Sequence, residues 1–493
     1  MAITTVHTKP HYIQAAYNPI IWSVTSDKVT ETNFSYVFDL YVNGATGASH
    51  RIKQRPNPAG AGMVDVSTIM QAYCSLANFS FGESFLWLTP KMYADANEVI
   101  SSVYIKAGEE YVDPVTGVLT VYNGSGSAGA PAYNLYSQED PTGPVRVLPA
   151  VLNPFASNIE LYNQAQGTIG NSYWKDYVMG FVPGSKFLKT LGNTQYLTSE
   201  DYHTLGFINW NEDGLNYEKA VQLMQVKEYN SAGSLLATQN IQNITSLGGG
   251  PQTAANYTSQ TETLAKDLLY FKCGPKDFAS NATPLNVNTA YYTVQAFMKS
   301  SATSSSTPGT AVSEIVTFYV DANCDPELYP RVRVSWLNYL GGRDYYNFTM
   351  KYEKTTDSPG ESYTQTPLNW GSTTPMPASD DPILGDATAL WNKGGDKSFN
   401  KNLKTTYVIE SDWLSQEEID ALAGIAESPS TWIYVNSKWI DSSAWVGFDT
   451  NNTLPILVNV NNVKYTYKNV KQQKLVQASF ELTFNKTTPK QNL

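Results

Sequence analysis

Hydrophobic and polar residues alternate along much of the chain, the pattern of β-strands with one buried face. The clearest case lies between Asn33 and Gly44, where every second residue is apolar or aromatic: Phe34, Tyr36, Phe38, Leu40 and Val42. The pair Asn43-Gly44 is a turn signal, and the run 51–55 predicts a return strand that ends before Pro56 and Pro58. The sequence therefore predicts a β-hairpin near the start of the chain.

Similar patterns recur in the middle and at the end of the chain. The predicted strand pairs are Val221–Tyr229 with Leu235–Ile244, Tyr291–Met298 with Glu314–Val320, and Leu454–Val460 with Lys474–Phe484. The segment Ser300–Gly309 consists almost entirely of Ser, Thr, Ala, Pro and Gly, so it is predicted as a loop. These pairs are typical of antiparallel sheets joined by turns.

Two short helices are predicted. The first begins at Asp65-Val66-Ser67, and its apolar residues are Ile69, Met70 and Tyr73. The second begins at a capping box, Ser415 followed by Glu418. Its predicted apolar face consists of Ile419, Leu422 and Ala426.

Composition supports a mainly β fold. Charged residues make up 16% of the chain, below the ~25% typical of globular domains. Aromatic residues reach 13%, including 33 Tyr. Such a chain favours pleated surfaces over long amphipathic helices. We therefore expect a multi-domain β-sandwich, of jelly-roll or immunoglobulin-like type, with few short helices.

The length of 493 residues corresponds to roughly three domains at ~150 residues each. The predicted divisions are an N-terminal β domain (1–110), one or more β-rich middle domains with long loops (111–325), and a C-terminal β domain (326–493). Within the last, residues 355–402 are rich in Pro, Gly and Ser and are predicted as a long polar loop. Loops of this length are often functional, so it is a candidate contact element.

Charge and cysteine content argue against some classes of function and favour one cellular compartment. The chain has 33 Lys and Arg against 44 Asp and Glu, a net charge of −11, which argues against direct nucleic-acid binding. It has no recognisable secretion signal and no apolar run of ~18 residues, so we expect no membrane insertion. Cys74, Cys273 and Cys324 are odd in number and far apart, which favours synthesis in a reducing compartment.

No motif predicts catalysis, a cofactor or a metal. The four histidines lack the spacing of metal ligands, and the chain has neither a G-x-S-x-G elbow nor a phosphate-binding loop. Glycoside hydrolysis needs two carboxylates near each other, and three acidic pairs were weighed for it: Glu109-Glu110, Asp380-Asp381 and Glu417-Glu418. Adjacent acidic residues are common on surfaces, so we predict no enzyme and no catalytic, cofactor-binding or metal residues.

Three segments together resemble virion structural proteins of tailed bacteriophages that infect Bacteroidetes, crAss-like phages among them. The segments are Tyr17–Trp22 with Arg51–Lys53, Pro56 and Val64–Ser67; Cys324–Asp344, which includes Trp336 and Gly341-Gly342; and Ser411–Ser415 with Leu422 and Ser428-Pro429. The middle third of the chain shows no such resemblance.

The resemblance implies a component of the tail, collar or baseplate region, assembled in the host cytoplasm and carried in the virion. It brings no catalytic residues and no cofactor. Its partners are then copies of itself and other virion proteins. Alternatives are a fibre or spike protein that binds a receptor or host surface glycan, a head-decoration protein, and a capsule depolymerase.

Aromatic residues on polar segments are the predicted interface residues, since such residues suit protein or glycan contacts. They are Trp370, Trp391 and Trp413. For Trp413 a second interpretation is that it packs as an anchor beneath its own helix, next to the capping box.

Overall fold

The computed structural model of the protein describes residues 3–10, 13–74, 92–94, 101–137, 143–151, 176–180, 182–209, 221, 223–242, 268–280, 284–301, 304–320, 331–350, 352–357, 360–365, 395–401, 404–435, 454–465 and 475–484. The chain divides into two compact units. The first comprises Met1–Glu327, Val334–Asn347 and Asp420–Ser430, and the second comprises Leu328–Arg333, Phe348–Ile419 and Thr431–Leu493.

The N-terminal part of the first unit contains two sheets. Its elements are β1 (Ile3–Thr8), β2 (Ile13–Ala15), β3 (Ile21–Ser26), β4 (Ser35–Val42), β5 (His50–Gln54), β6 (Ala61–Asp65), α1 (Ser67–Tyr73), β7 (Met92–Ala94), β8 (Ser101–Val112), β9 (Leu119–Tyr122), β10 (Tyr133–Leu135) and β11 (Val145–Leu148). One sheet has the order β1-β3-β6. The other has the order β2-β11-β8-β4-β5, with β9 and β10 also paired to β8.

The following part of the first unit contains two more sheets. Its elements are β12 (Val178–Met179), β13 (Thr194–Leu197), β14 (Thr204–Asn209), β15 (Leu223–Tyr229), β16 (Leu235–Gln242), β17 (Leu268–Lys272), α2 (Pro275–Ser280), β18 (Tyr291–Ser301), β19 (Ser304–Ala311), β20 (Val316–Val320), β21 (Val332–Leu337) and β22 (Arg343–Phe348). The strand orders are β12-β14-β17-β7 and β13-β20-β18-β15-β16, with β19 also paired to β18. Their buried residues form one core that includes Phe207, Phe271 and Phe318.

The second unit contains a five-stranded antiparallel arrangement, β27-β28-β29-β26-β23, and a separate pair, β24-β25. The remaining strands are β23 (Tyr352–Asp357), β24 (Gly360–Gln365), β25 (Gly395–Lys401), β26 (Lys404–Glu410), β27 (Thr431–Val435), β28 (Leu454–Tyr465) and β29 (Ala478–Phe484). The helix α3 (Gln416–Glu427) begins in the second unit, and its residues from Asp420 onward belong to the first. The expectation of a mainly β protein with several sheets and few short helices is confirmed.

The predicted N-terminal hairpin is confirmed as β4 and β5. All five alternating side chains of its first strand are buried: Phe34, Tyr36, Phe38, Leu40 and Val42. Asn43 and Gly44 adopt φ values of 52° and 71°, the left-handed conformation that an Asn-Gly turn supplies. The core beneath β4 includes Tyr111, Tyr122 and Val147, so it continues past residue 110, where the first domain was predicted to end. The three-domain division stays a prediction.

Two predicted loops are wrong in part, because strand pairing supplies backbone hydrogen bonds whatever the side chains are. Within Ser300–Gly309, β18 continues to Ser301 and β19 begins at Ser304, with a shifted register around Pro308. The polar segment 355–402 has strands at both ends, namely the end of β23 together with β24 and β25. Residues 366–394 of that segment lie outside the described residues.

The capping box of α3 is confirmed. The Ser415 amide donates to Glu418 Oε2 at 2.9 Å, and the Glu418 amide donates to Ser415 Oγ at 3.4 Å. The predicted apolar face is wrong at one position, because Ile425 is buried whereas Ala426 is exposed. The spacing of three residues after Leu422 selects Ile425, and its larger side chain gains more from burial.

Loss of this cap has a modest expected effect. Ser415→Ala removes an acceptor for a first-turn amide and should lower the free energy of unfolding by ~1 kcal/mol. Urea unfolding followed by circular dichroism measures the change. Ser231→Ala, in the exposed β15–β16 turn, serves as the control and should shift stability by less than ~0.5 kcal/mol. Equal stability of the two variants would contradict the capping role.

Candidate interaction surface

The sheet β13-β20-β18-β15-β16 has one buried face and one outward face. Along β18, Tyr292, Val294 and Ala296 are buried in the core, whereas Tyr291 and Thr293 between them are partly exposed. Successive side chains of a strand point to opposite faces. The strand register therefore identifies which residues lie side by side on the outward face.

A row of four tyrosines and one leucine crosses all five strands of this face. Its members, which we call the tyrosine row, are Tyr196, Tyr319, Tyr291, Tyr229 and Leu235, each opposite the next across neighbouring strands. Neighbouring ring centroids lie 5.5, 5.3 and 4.9 Å apart along the row. With strands ~4.8 Å apart, the row is about 19 Å long. Tyr196 is 72% exposed and Tyr319 is 40% exposed, so the row is open to solvent at β13 and β20.

Two further rows of polar residues lie beside the tyrosine row. The first consists of Thr194, Thr317, Thr293, Lys227 and Thr238, and the second consists of Gln295, Gln225 and Asn240. Gln225 Nε2 donates to Asn240 Oδ1 at 3.0 Å across the β15–β16 pair. Together the three rows define what we call the outward face, and Lys227 is its single charged member.

The geometry of the rings determines what they offer a partner. Rings whose centroids lie about 5 Å apart have no room to be coplanar, so each ring covers part of a face of its neighbour. Their edges and hydroxyl groups then point away from the sheet. Each stacked pair contributes ~0.5–1.5 kcal/mol beyond area burial, which holds the row in one arrangement before any partner binds.

A second group of stacked tyrosines differs in its surroundings. Tyr41, Tyr104 and Tyr136 have ring centroids 4.9 and 5.3 Å apart on the sheet that contains β4 and β8. Lys106 Nζ lies 4.5 Å from the Tyr41 ring centroid. The Arg51–Asp39 pair, with Nε and Oδ1 2.6 Å apart, follows on the same sheet. These tyrosines are therefore set among charges, whereas the tyrosine row is set among amides and hydroxyls.

A buried carboxylate fixes the turn at the end of the tyrosine row. Glu228, next to Tyr229, accepts a hydrogen bond from the Asn286 amide at 2.7 Å and another from Thr289 Oγ1 at 2.9 Å. Gln239 Nε2 donates to its other oxygen at 2.9 Å. This carboxylate ties β15, β16 and the approach to β18 together, so the strands that carry the row are rigidly placed.

A second buried cluster lies behind β13. Asp344 accepts hydrogen bonds from the amide and the hydroxyl of Thr190 and from Asn338 Nδ2. Burial raises the pKa of its carboxyl, while the Thr190 and Asn338 donors oppose that rise. Lys189 Nζ lies 3.4 Å from Glu314 Oε1, and burial lowers the pKa of this amine. These contacts attach the segment before β13 to the β21–β22 hairpin.

Lys272 carries a further buried amine. Burial lowers the pKa of Lys272 to about 8, and the nearby Asp277 carboxylate opposes this. Asp277 Oδ2 accepts hydrogen bonds from the amides of His203 and Gly274, both at 3.0 Å. Lys272 is only 1% exposed, so a substrate does not reach its amine. We assign the pair a role in connecting β14, β17 and α2.

The predicted interface tryptophans are located as follows. Trp413 belongs to the second unit and is 59% exposed, and its role as an interface residue stays a prediction. Trp370 and Trp391 lie outside the described residues. The tyrosine row was not predicted, because its members come from five strands whose register the sequence does not specify. The sequence signal that could have indicated the row is a tyrosine at an outward position of β13, β20, β18 and β15.

The acidic pairs weighed for hydrolysis do not form a shared site in the part that is described. Glu109 and Glu110 are successive residues of β8, and their side chains lie on opposite faces of the sheet. Glu418 is engaged in the capping box of α3. Asp380-Asp381 lies outside the described residues.

The described residues offer few other candidates for a metal site or a reactive side chain. They contain no group of three or more His, Cys, Asp or Glu residues that could hold a metal ion. Cys74 and Cys273 are free and buried, and burial raises the pKa of the Cys74 thiol to about 11. In the described part of the chain, no helix is both long and apolar enough to cross a membrane.

Fold and surface together define a mainly β, multi-sheet protein whose sheet β13-β20-β18-β15-β16 has an outward face with a single charged member, Lys227. No protein-family model matches the chain, and no curated protein matches it significantly. Among solved structures it is similar at 7% identity to the α-2-macroglobulin of E. coli, with a TM-score of 0.18 and 83% of this chain covered. The chain spans 22% of that protein's length. It is also similar at 7% identity to a marsupial T cell receptor, with a TM-score of 0.16 and coverage of 82% of this chain and 96% of that one.

Proposed function

We propose that this chain is a structural component of a tailed-phage virion, in the tail, collar or baseplate region, and that it acts by oligomeric protein–protein assembly. It is made in the host cytoplasm and carried in the particle. The observation that carries the assembly role is the outward face, an array of stacked tyrosines, threonines and amides with Lys227 as its single charge and with Tyr196 and Tyr319 open to solvent.

This chemistry favours a protein partner. Interface cores are depleted in charged residues and enriched in tyrosine, whose large ring loses little entropy when it becomes buried. A chain with a net charge of −11 repels other acidic chains over most of its surface, but a nearly uncharged face does not. Neutral hydroxyls and amides can meet a partner's backbone without the desolvation cost of a charge.

The stacked rings make a sugar partner less suitable. A glycan platform presents ring faces to the sugar, as aromatic residues do when they bind by stacking. In the tyrosine row the ring faces are turned toward one another, with centroids 4.9–5.5 Å apart. We therefore favour the structural role over a receptor-binding fibre or spike, and we assign no enzymatic activity.

The resemblance to phage virion proteins supports a phage particle as the place where the chain assembles. One of its segments contains Trp336, Asn338 and Gly342, and the described part of this segment, residues 331–344, includes β21 and the turn that leads into β22. Asn338 Oδ1 accepts the amide protons of Leu340 and Gly342 at 3.0 and 3.1 Å, which fixes that turn. The residues that carry the resemblance in this segment therefore have a role in forming the turn.

The assembly role predicts a specific loss in a face variant. Tyr319→Glu places a charge in the middle of the tyrosine row, and a charge buried without a partner in an interface is costly. We expect incorporation into phage particles to fall more than about tenfold when the variant is supplied in place of the wild-type chain. Quantitative mass spectrometry of purified particles measures the copy number.

The matched control is Tyr41→Glu, which alters the tyrosines that are set among charges beside Lys106. We expect it to be incorporated close to the wild-type level. Circular dichroism and thermal melting of both purified variants confirm that each is folded. Equal incorporation of the two variants would rule out the outward face as the contact surface, and absence of the wild-type chain from particles would rule out the virion role.

A further inference from the structure

The amine of Lys189, in the segment before β13, is surrounded by three acceptor groups. Its side chain is 7% exposed, and Nζ lies 3.4 Å from Glu314 Oε1. Nζ also donates to the Leu191 carbonyl at 3.2 Å and to Asn193 Oδ1. The carboxyl group of Glu314 is itself held in place, because its Oε1 accepts the Phe187 amide at 3.1 Å. An amine, a carboxamide and a carboxyl group therefore meet at one point.

We propose that Lys189 and Asn193 join in an intramolecular isopeptide bond, with the Glu314 carboxyl as the acid–base group. The three side chains match the roles that this bond requires: a nucleophile, an electrophilic carbonyl carbon, and a group that moves protons between them. Asn193 Cγ is one bond away from the oxygen that Nζ contacts, so the reacting atoms are already neighbours. Groups held together in this way react as if each were highly concentrated around the other.

Burial of the Lys189 side chain supplies the nucleophile. An ammonium group cannot attack a carbonyl carbon, because its nitrogen has no free electron pair. Burial lowers the pKa of this amine, although the Glu314 carboxylate opposes the change. Transfer of a proton from Nζ to Glu314 removes both charges from a site with little access to water, where a charged pair is costly to keep. The neutral amine then faces Asn193.

The reaction consumes neither an oxidant nor water. The bond between Lys189 Nζ and Asn193 Cγ forms, and the bond between Asn193 Cγ and Nδ2 breaks. Nζ keeps one of its three protons, and Glu314 passes the other two to Nδ2. The Asn193 nitrogen leaves as ammonium, and the exposed position of Asn193 gives it a path to solvent. Glu314 ends as the carboxylate that it was at the start.

The bond fixes the start of the edge strand β13. This strand has four residues and begins directly after Asn193. Lys189 follows Leu188, whose amide donates to Gly206 O of β14 at 2.8 Å. The isopeptide bond therefore connects the start of β13 to a segment that is anchored on β14. Tyr196 of β13 belongs to the tyrosine row, so the bond also holds the exposed end of that row in place.

Mass spectrometry of the purified full-length chain, denatured before measurement, tests the proposal. We expect the wild-type mass to be lower than the mass of its sequence by one ammonia. Trypsin cleaves after unmodified lysine, so we also expect a single peptide of residues 187–219 in place of two peptides divided after Lys189. A wild-type chain that has its full sequence mass overturns the proposal.

Two variants separate this reaction from others that release ammonia. Lys189→Arg keeps the positive charge and removes the nucleophile, so we expect its full sequence mass. A loss of ammonia that persists in this variant comes from cyclisation of Asn193 with its own backbone, and it overturns the proposal. Glu314→Gln keeps an acceptor for the Phe187 amide and removes the proton transfer, so we expect the linked fraction to fall more than about tenfold.

The matched control is Glu200→Gln, which alters a different lysine–carboxylate pair. Glu200 Oε2 lies 2.7 Å from Lys276 Nζ. We expect this variant to be linked to the same extent as the wild-type chain, and circular dichroism confirms that every variant is folded. Equal linked fractions in Glu314→Gln and Glu200→Gln overturn the role of Glu314. The mass is measured on the isolated chain, so the result is independent of the virion role.

Discussion

Gly342→Ala is expected to destabilise the protein by ~3 kcal/mol or more, because an added methyl group meets backbone atoms that have no freedom to move. A Cβ at this position lies 1.9 Å from the Leu188 carbonyl oxygen and 2.7 Å from Leu188 Cβ. Leu188 is held on both sides, since its amide donates to Gly206 O at 2.8 Å and its carbonyl accepts Asn338 Nδ2 at 3.0 Å. Relief of the clash therefore breaks bonds that connect β14 to the β21–β22 hairpin.

The matched control is Gly192→Ala, a glycine near β13 around which a Cβ meets no atom within 4 Å. We expect its stability to stay within ~0.5 kcal/mol of wild type. Urea unfolding of both variants, followed by tryptophan fluorescence, measures the difference. A loss below ~1 kcal/mol in Gly342→Ala would mean that Leu188 shifts freely and that the contacts of Asn338 contribute little to stability.

Local features of this fold could be predicted because they depend on neighbouring residues. The Asn43-Gly44 turn needs two residues that tolerate positive φ, and the Ser415–Glu418 cap needs two side chains three positions apart. Both patterns occur within a few residues, and both are present in the structure.

Long-range features could not be predicted from patterns of this kind. Asp344 accepts the Thr190 amide across 154 residues of chain. The tyrosine row requires β13 to lie parallel to β20, although the strands β14 to β19 separate these two strands in the sequence. Composition indicated that tyrosines were important, but only strand register places Tyr196 beside Tyr319. The sequence analysis selected tryptophans because they lie in polar segments, whereas the outward face is formed by tyrosines on strands.

Glu109 is the second position where we expect a large effect, and there the effect depends on pH. This residue lies in the middle of β8, opposite Tyr36 and Tyr122 on the neighbouring strands, and is 0% exposed. Neither of its carboxyl oxygens forms a hydrogen bond of good geometry in the described part of the chain, although the Ser26 hydroxyl lies close enough to interact with the carboxyl group. Burial raises the pKa of the Glu109 carboxyl, the neighbouring Asp27 adds to the rise, and the Ser26 hydroxyl offsets only part of it.

The sign of the pH dependence follows from linkage. In the unfolded chain a glutamate has a pKa of about 4.3, and in the folded chain the pKa of Glu109 is higher, so the native state binds the proton more tightly. Below about pH 4 the Glu109 carboxyl is protonated, and the stabilisation that comes from its raised pKa in the folded state is fully present. It is lost as the pH rises through the folded pKa, because the native state must then hold an unpartnered buried charge.

Glu109→Gln keeps the shape of the side chain and removes the ionisation. We expect the variant to gain stability relative to wild type as the pH rises from 4 to 8, reaching a difference of ~1–3 kcal/mol at the upper end. Other groups titrate in both proteins, so the difference between them isolates Glu109. Chemical unfolding at a series of pH values measures it.

The adjacent Glu110→Gln is the matched control. Glu110 lies on the opposite face of β8, where its carboxylate pairs with Lys53 Nζ at 2.7 Å. A surface pair of this kind contributes ~0–1 kcal/mol, so the control should lose a little stability and show no gain at high pH. If Glu109→Gln instead loses stability at every pH, then the carboxylate has a partner that stabilises its charge in the folded protein. In that case the groups around Glu109 in the core beneath β4 and β8 stabilise its negative charge, and the charged form is the one that the fold requires.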